Sequence, residues 1–342
     1  MMAGTMQAAV FLGKGRLELQ RRPIPSVQKR DDVLLRVEAA SVCGSDVQIL
    51  NVPPGHPATV GAILGHEYVG EVLEVGEGVQ HVQPGDRVVV SPDLRCGHCH
   101  YCQMGLTPMC ENRTTLGIFL DGGFAEYNVA PARALFKVSK NVPADIAAVG
   151  EPLACALSGI TKVNIQPGDS VVVLGAGPIG VLFALLAKMC GAGKVIISEP
   201  TEGRRKHAAS LGVDLVVNPK EQDLAKLVKS MTPRGADIVI DAVGSLLGQA
   251  MELPRRGGKI LLFGVNTRAE MTLSQHAITV NQLNVIGSYI FGPELFPTVI
   301  KVLEAGTLPL NKLITHHLPL VQVQEGIQLL RSGEALKVII TP

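Results

Sequence analysis

The sequence predicts an α/β protein whose second half forms a doubly wound parallel sheet. Three observations support this: short apolar runs rich in β-branched residues, helical stretches that alternate with them, and a glycine motif between the first run and the first helix. Buried parallel strands are typically continuous apolar runs, and repeated strand–helix–strand units assemble into one parallel sheet. The first 150 residues instead show short alternating strands separated by turns, so we expect an irregular, mostly β domain there.

The individual elements follow from these patterns. In the first part of the chain, β-branched alternation predicts strands at residues 33–39, 68–75 and 86–90. The parallel strands are expected at residues 171–174, 195–198, 215–217, 238–240, 260–263 and 284–288. Helices are expected between them at residues 181–190, 204–211, 223–230 and 246–253. A longer helix is predicted at 293–306, and residues 318–341 return to short strand and helix segments.

The motif GAGPIG follows the first parallel strand and opens the first helix. In such a motif one glycine makes the tight turn, a second lets a pyrophosphate approach the backbone, and a third lets the helix pack on the strand. The phosphates then bind the N–H groups at the helix N-terminus, where the helix dipole favours negative charge. The candidate cofactor-binding residues are Gly175, Gly177, Pro178, Ile179 and Gly180.

An acidic residue, Glu199, ends the second parallel strand, 19 residues after the last glycine of the motif. This context favours a dinucleotide site over an ordinary glycine-rich turn. The carboxylate can accept hydrogen bonds from both hydroxyls of an adenine ribose and would repel a 2′-phosphate, which favours NAD over NADP. Arg204 and Arg205 lie nearby and favour NADP instead. The alternative for this pair is a solvated helix face, which we prefer for Arg205.

Length, charge and cysteine usage narrow the class of protein further. A chain of 342 residues is long enough for two domains, and a net charge of +1 without basic runs argues against nucleic acid and anionic membranes as partners. No apolar run reaches membrane-spanning length, and the N-terminal stretch MMAGTMQAAV does not resemble a signal peptide. The seven cysteines are an odd number, and four of them have metal spacing rather than that of a disulfide framework. Because no export signal is recognised either, we expect a reducing, cytoplasmic location.

Four of the seven cysteines lie within fifteen positions, in the pattern C-x2-C-x2-C-x7-C. These residues, Cys96, Cys99, Cys102 and Cys110, have metal-ligand spacing rather than that of a disulfide framework. Four thiolates leave no open coordination position, so the expected zinc ion is structural. The alternative is a redox-active cysteine pair.

A second set of zinc-ligand types is spread along the chain: Cys43, His66, Glu67 and Glu151. Taken alone, the cysteine or the histidine could have a structural role instead of binding zinc. A lone buried cysteine behaves as a small hydrophobic residue, and a lone histidine usually has a structural role. The pair His66–Glu67 follows a glycine, which lets the backbone present both side chains to one point. Glu151 stands in an apolar run, where a carboxylate is costly to bury unless it is paired, protonated or metal-bound.

Several motifs in register make the chain resemble the zinc-dependent medium-chain dehydrogenases, in particular their polyol branch of sorbitol-, butanediol- and threonine-type enzymes. The motifs are CGSD at 43–46, GHE at 65–67, GDRV at 85–88, the four-cysteine loop, GGFAEY at 122–127, EPLA at 151–154 and GAGPIG at 175–180. The resemblance covers nearly the whole chain. It implies a GroES-like catalytic domain at residues 1–153 and 291–342, with an NAD-binding Rossmann domain at 154–290 inserted into it.

The resemblance also implies a chemistry. Two zinc ions are expected per chain, and the catalytic one would be held by Cys43, His66 and Glu67, with Glu151 as an exchangeable ligand or the holder of a bound water. The ion would promote ionisation of a secondary alcohol or polyol, whose hydride then passes to NAD. Ser45 would take the hydroxyl proton into a relay. Relatives assemble into homo-oligomers, either dimers or tetramers.

Two departures from the family pattern concern the substrate and its proton. Gln48 stands where many relatives have a histidine that passes the proton to solvent. The stretch GSYIFGPELFP at 287–297 lacks the arginine that sorbitol enzymes carry there. A threonine-type enzyme, in which Glu294 would hold the substrate ammonium, is a second interpretation, although we prefer to explain Glu294 as a solvated acid at a helix start. A catalytically silent dinucleotide-binding relative is a third.

Overall fold

The computed structural model describes residues 4–342, which fold into two compact units. The first consists of the chain up to Ala154 together with Gly292–Pro342, and the second is Cys155–Phe291. The expectation about the N-terminal stretch rests partly on residues 1–3, which lie outside the described residues. Within residues 4–342, no helix combines the length and hydrophobicity needed to cross a bilayer.

The strands are β1 (Thr5–Gly13), β2 (Arg16–Pro23), β3 (Asp32–Ser41), β4 (Glu67–Val75), β5 (Arg87–Val90), β6 (Asp93–Leu94), β7 (Thr114–Thr115), β8 (Tyr127–Pro131), β9 (Leu135–Lys137), β10 (Ser170–Leu174), β11 (Lys194–Ser198), β12 (Leu215–Val217), β13 (Ala236–Asp241), β14 (Pro254–Leu262), β15 (Asn284–Gly287), β16 (His316–Pro319) and β17 (Val338–Thr341). The helices are α1 (Gly44–Ile49), α2 (His100–Gln103), α3 (Ala144–Ala147), α4 (Gly150–Val163), α5 (Pro178–Met189), α6 (Glu202–Ala209), α7 (Leu224–Met231), α8 (Leu247–Met251), α9 (Gln275–Asn281), α10 (Phe296–Ala305) and α11 (Val323–Ser332).

The first unit is built on a seven-stranded sheet in the order β16-β17-β3-β4-β5-β9, with β8 also paired to β3. Strand β3 is central to the site described below, because β4 lies on one of its edges and β17 on the other. In the antiparallel register, Ser41 at the end of β3 faces Glu67 of β4 and Ile339 of β17. Chain segments far apart in sequence therefore meet at the C-terminal end of β3.

The second unit is a six-stranded parallel sheet in the order β12-β11-β10-β13-β14-β15. Its first strand in sequence, β10, is central and is buried at every residue, as expected for a continuous apolar run. The strand order reverses direction beside β10, so the turn after this strand lies at the switch point where doubly wound sheets bind ligands. The apolar helix α5, which follows that turn, is buried along most of its length.

The structure adds elements that the sequence patterns did not indicate. Helix α4 was not predicted, although its first turn contains an acidic residue and a proline, both of which favour a helix start. Helix α9 was missed because it has no buried residue and therefore no apolar stripe. The predicted helix at 293–306 begins with a 3₁₀ turn, Pro293–Leu295, before α10. Strand β14 begins earlier than expected, at Pro254, after an irregularity in its pairing with β13.

Candidate active site

The N-terminus of α1 positions Cys43 and Asp46. Cys43 immediately precedes the helix, and Asp46 lies in its first turn, where the helix dipole favours an acidic side chain. Asp46 is buried, and its Oδ2 atom accepts the backbone N–H of Cys43 at 2.9 Å. The carboxylate therefore fixes the backbone that carries the Cys43 thiol.

His66 and Glu67 are presented by the start of β4. The preceding residue, Gly65, has φ +91°, and a Cβ atom there would lie 2.6 Å from a neighbouring aromatic ring, so the position requires glycine. Nδ1 of His66 faces Oδ1 of Asp46 at 3.7 Å, and Nε2 lies 3.2 Å from Oγ of Ser45. The ring thus has one nitrogen towards a buried carboxylate and the other towards Ser45.

Three predicted ligands of the catalytic zinc converge. Cys43, His66 and Glu67 each offer one ligand atom, and these atoms all lie within 4.8 Å of one another. A thiolate, an imidazole and a carboxylate are ligand types that zinc prefers, and three protein ligands leave a position open for a substrate. The donor set is that of a catalytic rather than a structural zinc ion.

Buried polar atoms in this group support the fit to a cation. Among residues 4–342, no hydrogen-bond partner is found for Oε1 of Glu67, Nδ1 of His66 or Oδ1 of Asp46. An orphaned buried carboxylate oxygen costs free energy, and a bound cation removes that cost. Burial, reinforced by the charge of Glu67, also raises the pKa of the Cys43 thiol well above its usual value. A zinc ion would offset this concentration of acidic groups, so the residues fit the group that the motifs imply.

The second oxygen of Glu67 is already engaged. Oε2 accepts hydrogen bonds from Nζ of Lys337 at 2.5 Å and from the hydroxyl of Ser41, and Lys337 also donates to the carbonyl of Val42 at 3.2 Å. The side chains of Lys337 and Glu67 are only 2% and 0% exposed. Burial alone would raise the pKa of Glu67, but Lys337 and His66 outweigh it and hold that pKa below its usual value. Glu67 is therefore an anion with one oxygen left for a metal.

Glu151 lies in the first turn of α4 and is buried. It is not a member of the three-residue group defined by the 4.8 Å distance. Burial raises the pKa of Glu151 to about 8, although the charge on His66 opposes this rise. The charge of Glu151 in turn favours protonation of His66, so the two side chains interact electrostatically.

The four predicted ligands of the structural zinc also converge. Cys96, Cys99, Cys102 and Cys110 form a group whose sulfur atoms lie within 4.8 Å of one another. Backbone N–H groups point at the sulfurs: Cys99 donates to Cys96 and Cys96 donates to Cys110, both at 3.4 Å. The N–H of His98 contributes most to holding the pKa of Cys96 down, at about 6. Such bonds favour thiolates, which are the form that binds zinc.

The glycine motif has the geometry of a phosphate-binding turn. Gly175 has φ +99°, and a Cβ atom on Gly180 would lie 2.0 Å from the carbonyl oxygen of Gly175. The turn and the packing of α5 on β10 therefore both need glycine. A Cβ atom on Gly177 would meet nothing within 4 Å, so there is open space next to the N-terminus of α5, which begins at Pro178 and Ile179. A pyrophosphate fits such a space.

Glu199 follows β11 and is buried, with its carboxylate directed towards the glycine turn. Oε2 accepts the N–H of Ala176 and Oε1 the N–H of Thr201, both at 2.8 Å. Each oxygen keeps a second lone pair for a ribose hydroxyl. Arg205 donates to the carbonyls of Glu199 and Pro200, so its guanidinium holds the backbone.

Arg204 differs from its neighbour Arg205. Its Nε atom is buried and has no hydrogen-bond partner in the part of the chain that the structure describes. Arg204 therefore has a buried N–H donor whose hydrogen bond is not made within the described residues, whereas Arg205 donates through Nη1 to the backbone.

Sequence reasoning missed the residues behind the metal ligands. Asp46 belongs to the CGSD motif and could have been suspected from it. Lys337 had no signal, because a lysine before a β-branched run normally predicts a solvated strand end.

The two residues connected with the substrate and its proton are both exposed. Glu294, which would bind the substrate in the amino-alcohol interpretation, accepts a hydrogen bond from the hydroxyl of Thr107 to its Oε2 at 3.1 Å. Gln48 is also exposed, and its Oε1 accepts the side-chain amide of Asn51.

Comparison with known proteins agrees with this geometry. The model of the alcohol dehydrogenase GroES-like domain matches residues 29–140, and that of the zinc-binding dehydrogenases matches residues 178–305. The fold class predicted from the sequence, a Rossmann sheet inserted into a GroES-like domain, is confirmed by these matches and by the two sheets.

Individual relatives align over almost the full length. The L-threonine 3-dehydrogenase of Caldanaerobacter subterraneus subsp. tengcongensis is 34% identical, with 100% of both chains covered. The sorbitol dehydrogenase of Halalkalibacterium halodurans is also 34% identical, covering 96% of this chain and 97% of its own. The crystal structure of a zinc-binding dehydrogenase from Sinorhizobium meliloti 1021 bound to NADP superposes with a TM-score of 0.93 at 31% identity. The match covers 99% of this chain and 100% of that one. The chain thus belongs to the zinc-dependent medium-chain dehydrogenases, in the branch that contains the polyol and threonine enzymes.

Proposed function

We propose that the protein transfers a hydride between a secondary alcohol or polyol, such as a diol, sugar alcohol or cyclitol, and NAD. The observation that carries this proposal is the convergence of Cys43, His66 and Glu67 within 4.8 Å, with Oε1 of Glu67 left without a partner among the described residues. A silent relative that only bound a dinucleotide would have no need of this buried and costly set. We assign the metal site to the first compact unit and NAD binding to the second.

Zinc held by these three side chains would supply Lewis acidity, which brings the pKa of a bound alcohol towards neutrality. The protein contributes the handling of the proton. Ser45, whose Oγ is 3.2 Å from Nε2 of His66, is placed to accept the hydroxyl proton beside the ligand group. Glu151, with its pKa raised by burial to about 8, can exchange a proton near neutral pH. An amide cannot carry a proton onward, so we assign no such role to Gln48.

We further propose two zinc ions per chain, the second held by the four cysteine thiolates as a structural ion. The amide N–H groups that donate to the sulfur of Cys96 support this, because they favour its thiolate form. None of the seven cysteines is in a disulfide, which supports a reducing compartment such as the cytoplasm.

NAD rather than NADP is proposed as the cofactor. Glu199 would carry its negative charge at the place where the adenine ribose binds, so a 2′-phosphate would be repelled. Arg205 is half-buried and donates to the backbone carbonyls of Glu199 and Pro200, so we assign it no contact with the cofactor. The positive charge of Arg204 favours NADP instead, and the related Sinorhizobium structure is bound to NADP.

An amino-alcohol substrate is the second candidate, and the equally similar L-threonine 3-dehydrogenase supports it. Glu294 does not support it, because its carboxylate is exposed and hydrogen-bonded to Thr107. The lack of an arginine at residues 287–297 likewise argues against sorbitol itself. A polyol or diol without a charged group is therefore the first candidate.

A substrate panel tests the proposal. Zinc-loaded protein is assayed with diols, sugar alcohols, inositols and threonine, each with NAD and with NADP, by the absorbance of the reduced cofactor. Turnover of a neutral diol or polyol that disappears in Cys43→Ser is expected. Turnover of threonine alone would establish the amino-alcohol alternative. No turnover by protein that contains its catalytic zinc would contradict the dehydrogenase function.

We also propose that the protein is a homo-oligomer. Strand β15 ends the six-stranded sheet, and the nearby apolar side chains Val280 and Val285 are 54% and 38% exposed. An edge strand with exposed apolar residues is a template for pairing with a second copy. Val285→Glu should reduce the oligomer's mass in sedimentation, and an unchanged mass would exclude this edge as the interface.

A further inference from the structure

Lys337 lies directly before β17, 270 residues from its partner Glu67, and contacts the candidate metal site from behind. Its side chain is 2% exposed, whereas a lysine is almost never fully buried unless it is paired. Nζ donates to Oε2 of Glu67 at 2.5 Å and to the carbonyl of Val42 at 3.2 Å. The ammonium is therefore held by two defined acceptors rather than by solvent.

Three adjacent strands fix this contact. β4 carries Glu67 on one side of β3 and β17 follows Lys337 on the other, with Ser41 of β3 opposite both strands. The Ser41 hydroxyl donates to the same Oε2 atom as Lys337 does. Both donors thus act on one oxygen, and Oε1 is the oxygen without a hydrogen-bond partner among residues 4–342.

This asymmetry matters for a ligand carboxylate. A carboxylate can bind a cation through one oxygen or through both. Glu67 cannot turn Oε2 towards a metal without losing both of its donors, so it can offer only Oε1. The ammonium of Lys337 also balances the negative charge of Glu67, while Cys43, Asp46 and Glu151 add further acidic groups nearby.

We propose that Lys337 is a positioning residue that restricts Glu67 to a single metal-facing oxygen and withdraws negative charge from it, and thereby keeps the bound zinc electrophilic. This inference rests on the proposed function, because it takes Cys43, His66 and Glu67 as the metal site. A purely structural role is the alternative. In that case the pair only stabilises the junction of the three strands, and the metal's surroundings do not depend on the lysine's charge.

The two roles differ in a signal that does not depend on turnover. The catalytic zinc is exchanged for Co²⁺ by dialysis, both metals are counted by elemental analysis, and the visible cobalt spectrum is recorded. Lys337→Met is compared with the conservative Lys337→Arg and with Lys301→Met, which removes an exposed lysine of α10 in the same unit. If Glu67 becomes bidentate, the cobalt gains a ligand and its visible absorption weakens and shifts.

In Lys337→Met we expect the weakened cobalt spectrum together with Co²⁺ affinity that is retained or increased, because a repelling positive charge is gone. The acidic limb of the pH–rate profile should move up by about one pH unit or more, the size of effect that one neighbouring charge has. Lys337→Arg should restore both signals, and Lys301→Met should match the unmodified protein. If Lys337→Met does not fold, Lys337→Gln, which keeps a donor without the charge, should show the same changes to a smaller extent.

Three outcomes would overturn the inference. An unchanged cobalt spectrum and pH profile in the folded variants would assign Lys337 a structural role. A tenfold or greater loss of Co²⁺ affinity would show that the lysine helps to bind the metal rather than to preserve its electrophilicity. Failure of the unmodified protein to take up Co²⁺ at a site removed by Cys43→Ser would overturn the proposed function itself, and the inference with it.

Discussion

Oδ1 of Asp46 faces Nδ1 of His66 at 3.7 Å, with both side chains buried, while Oδ2 of the same carboxylate accepts the backbone N–H of Cys43 at 2.9 Å. One side chain thus orients two of the three candidate metal ligands. Burial raises the pKa of Asp46 to about 6, and the charge on His66 opposes this rise. A carboxylate behind a ligand histidine fixes the ring's orientation and increases its basicity.

Asp46→Asn should therefore weaken catalytic-zinc binding by roughly 10- to 100-fold, the usual cost of losing such a carboxylate. The amide is nearly the same shape but lacks the charge that supports the ring. Competition with a chelator measures the affinity, and Asp31→Asn, at an exposed ion pair, is the control. Equal zinc affinity in both variants would show that Asp46 serves only the start of α1.

The metal content is a second prediction. Elemental analysis should find two zinc ions per chain. Cys43→Ser should leave one ion, an intact fold and no turnover. Cys99→Ser should lower thermal stability or solubility, because it breaks a closed tetrahedral site that contributes folding energy. A single zinc in the unmodified protein after zinc-supplemented expression would contradict the two-site assignment.

The two glutamates should behave differently. Glu151→Ala should keep most of its catalytic zinc, because Cys43, His66 and Glu67 still hold the ion, but should lose about 10²-fold or more in rate, as expected for a lost acid–base or orienting group. Glu67→Ala should lose the ion, since two ligands are too few. Zinc analysis and kcat measured on the same preparations separate these effects. The reverse pattern would mean that the ligand assignments of these two residues must be exchanged.

Cofactor preference follows from Glu199. Steady-state kinetics should favour NAD over NADP by at least about tenfold, equivalent to roughly 1.4 kcal/mol. Glu199→Ser should lower this ratio, and Arg204→Gln should raise it by removing a positive charge whose Nε has no hydrogen-bond partner among the described residues. Arg205→Gln, which disturbs only backbone contacts, is the matched control. Equal kcat/KM with both cofactors would show that Arg204 dominates the site.

A pH-dependent contribution to stability is expected from Asp237 of β13. Burial would raise its pKa, but hydrogen bonds from Ser170 and the guanidinium of Arg255 outweigh burial and hold the pKa below its usual value. A carboxylate with a lowered folded-state pKa stabilises the protein above its unfolded pKa of about 3.9, and this contribution is lost as the pH falls through the folded value.

Asp237→Asn should therefore lower the free energy of unfolding by roughly 1.5 to 3 kcal/mol at neutral pH, the range for hydrogen bonds to a charged group. The difference from the unmodified protein should shrink below about pH 4, where both forms become neutral. Chemical denaturation at several pH values measures this difference in the free energy of unfolding, with Asp31→Asn again as the control. A difference that stayed constant down to pH 3 would mean that charge contributes nothing at this position.

Local sequence patterns were sufficient to predict much of the fold. The turn at Gly175–Gly180, the alternating strands and helices around it, and the four-cysteine spacing are short-range features, so their geometry is decided within a few residues. The turn at Gly175–Gly180, for example, needs glycine at Gly175 for its φ and at Gly180 for close packing, and the glycine spacing in the sequence indicates both requirements.

Contacts between segments that are distant in the sequence depend on the tertiary structure and could not be predicted from local patterns. Nothing near Lys337 in the sequence indicates a buried ammonium, because its burial depends on a carboxylate 270 positions away and on the pairing of three strands. The sequence also could not show that Glu199 binds the amide of Ala176, or that Glu151 lies outside the three-ligand group. Desolvation and charge pairing depend on which atoms lie within a few ångströms, and only the folded chain determines those distances.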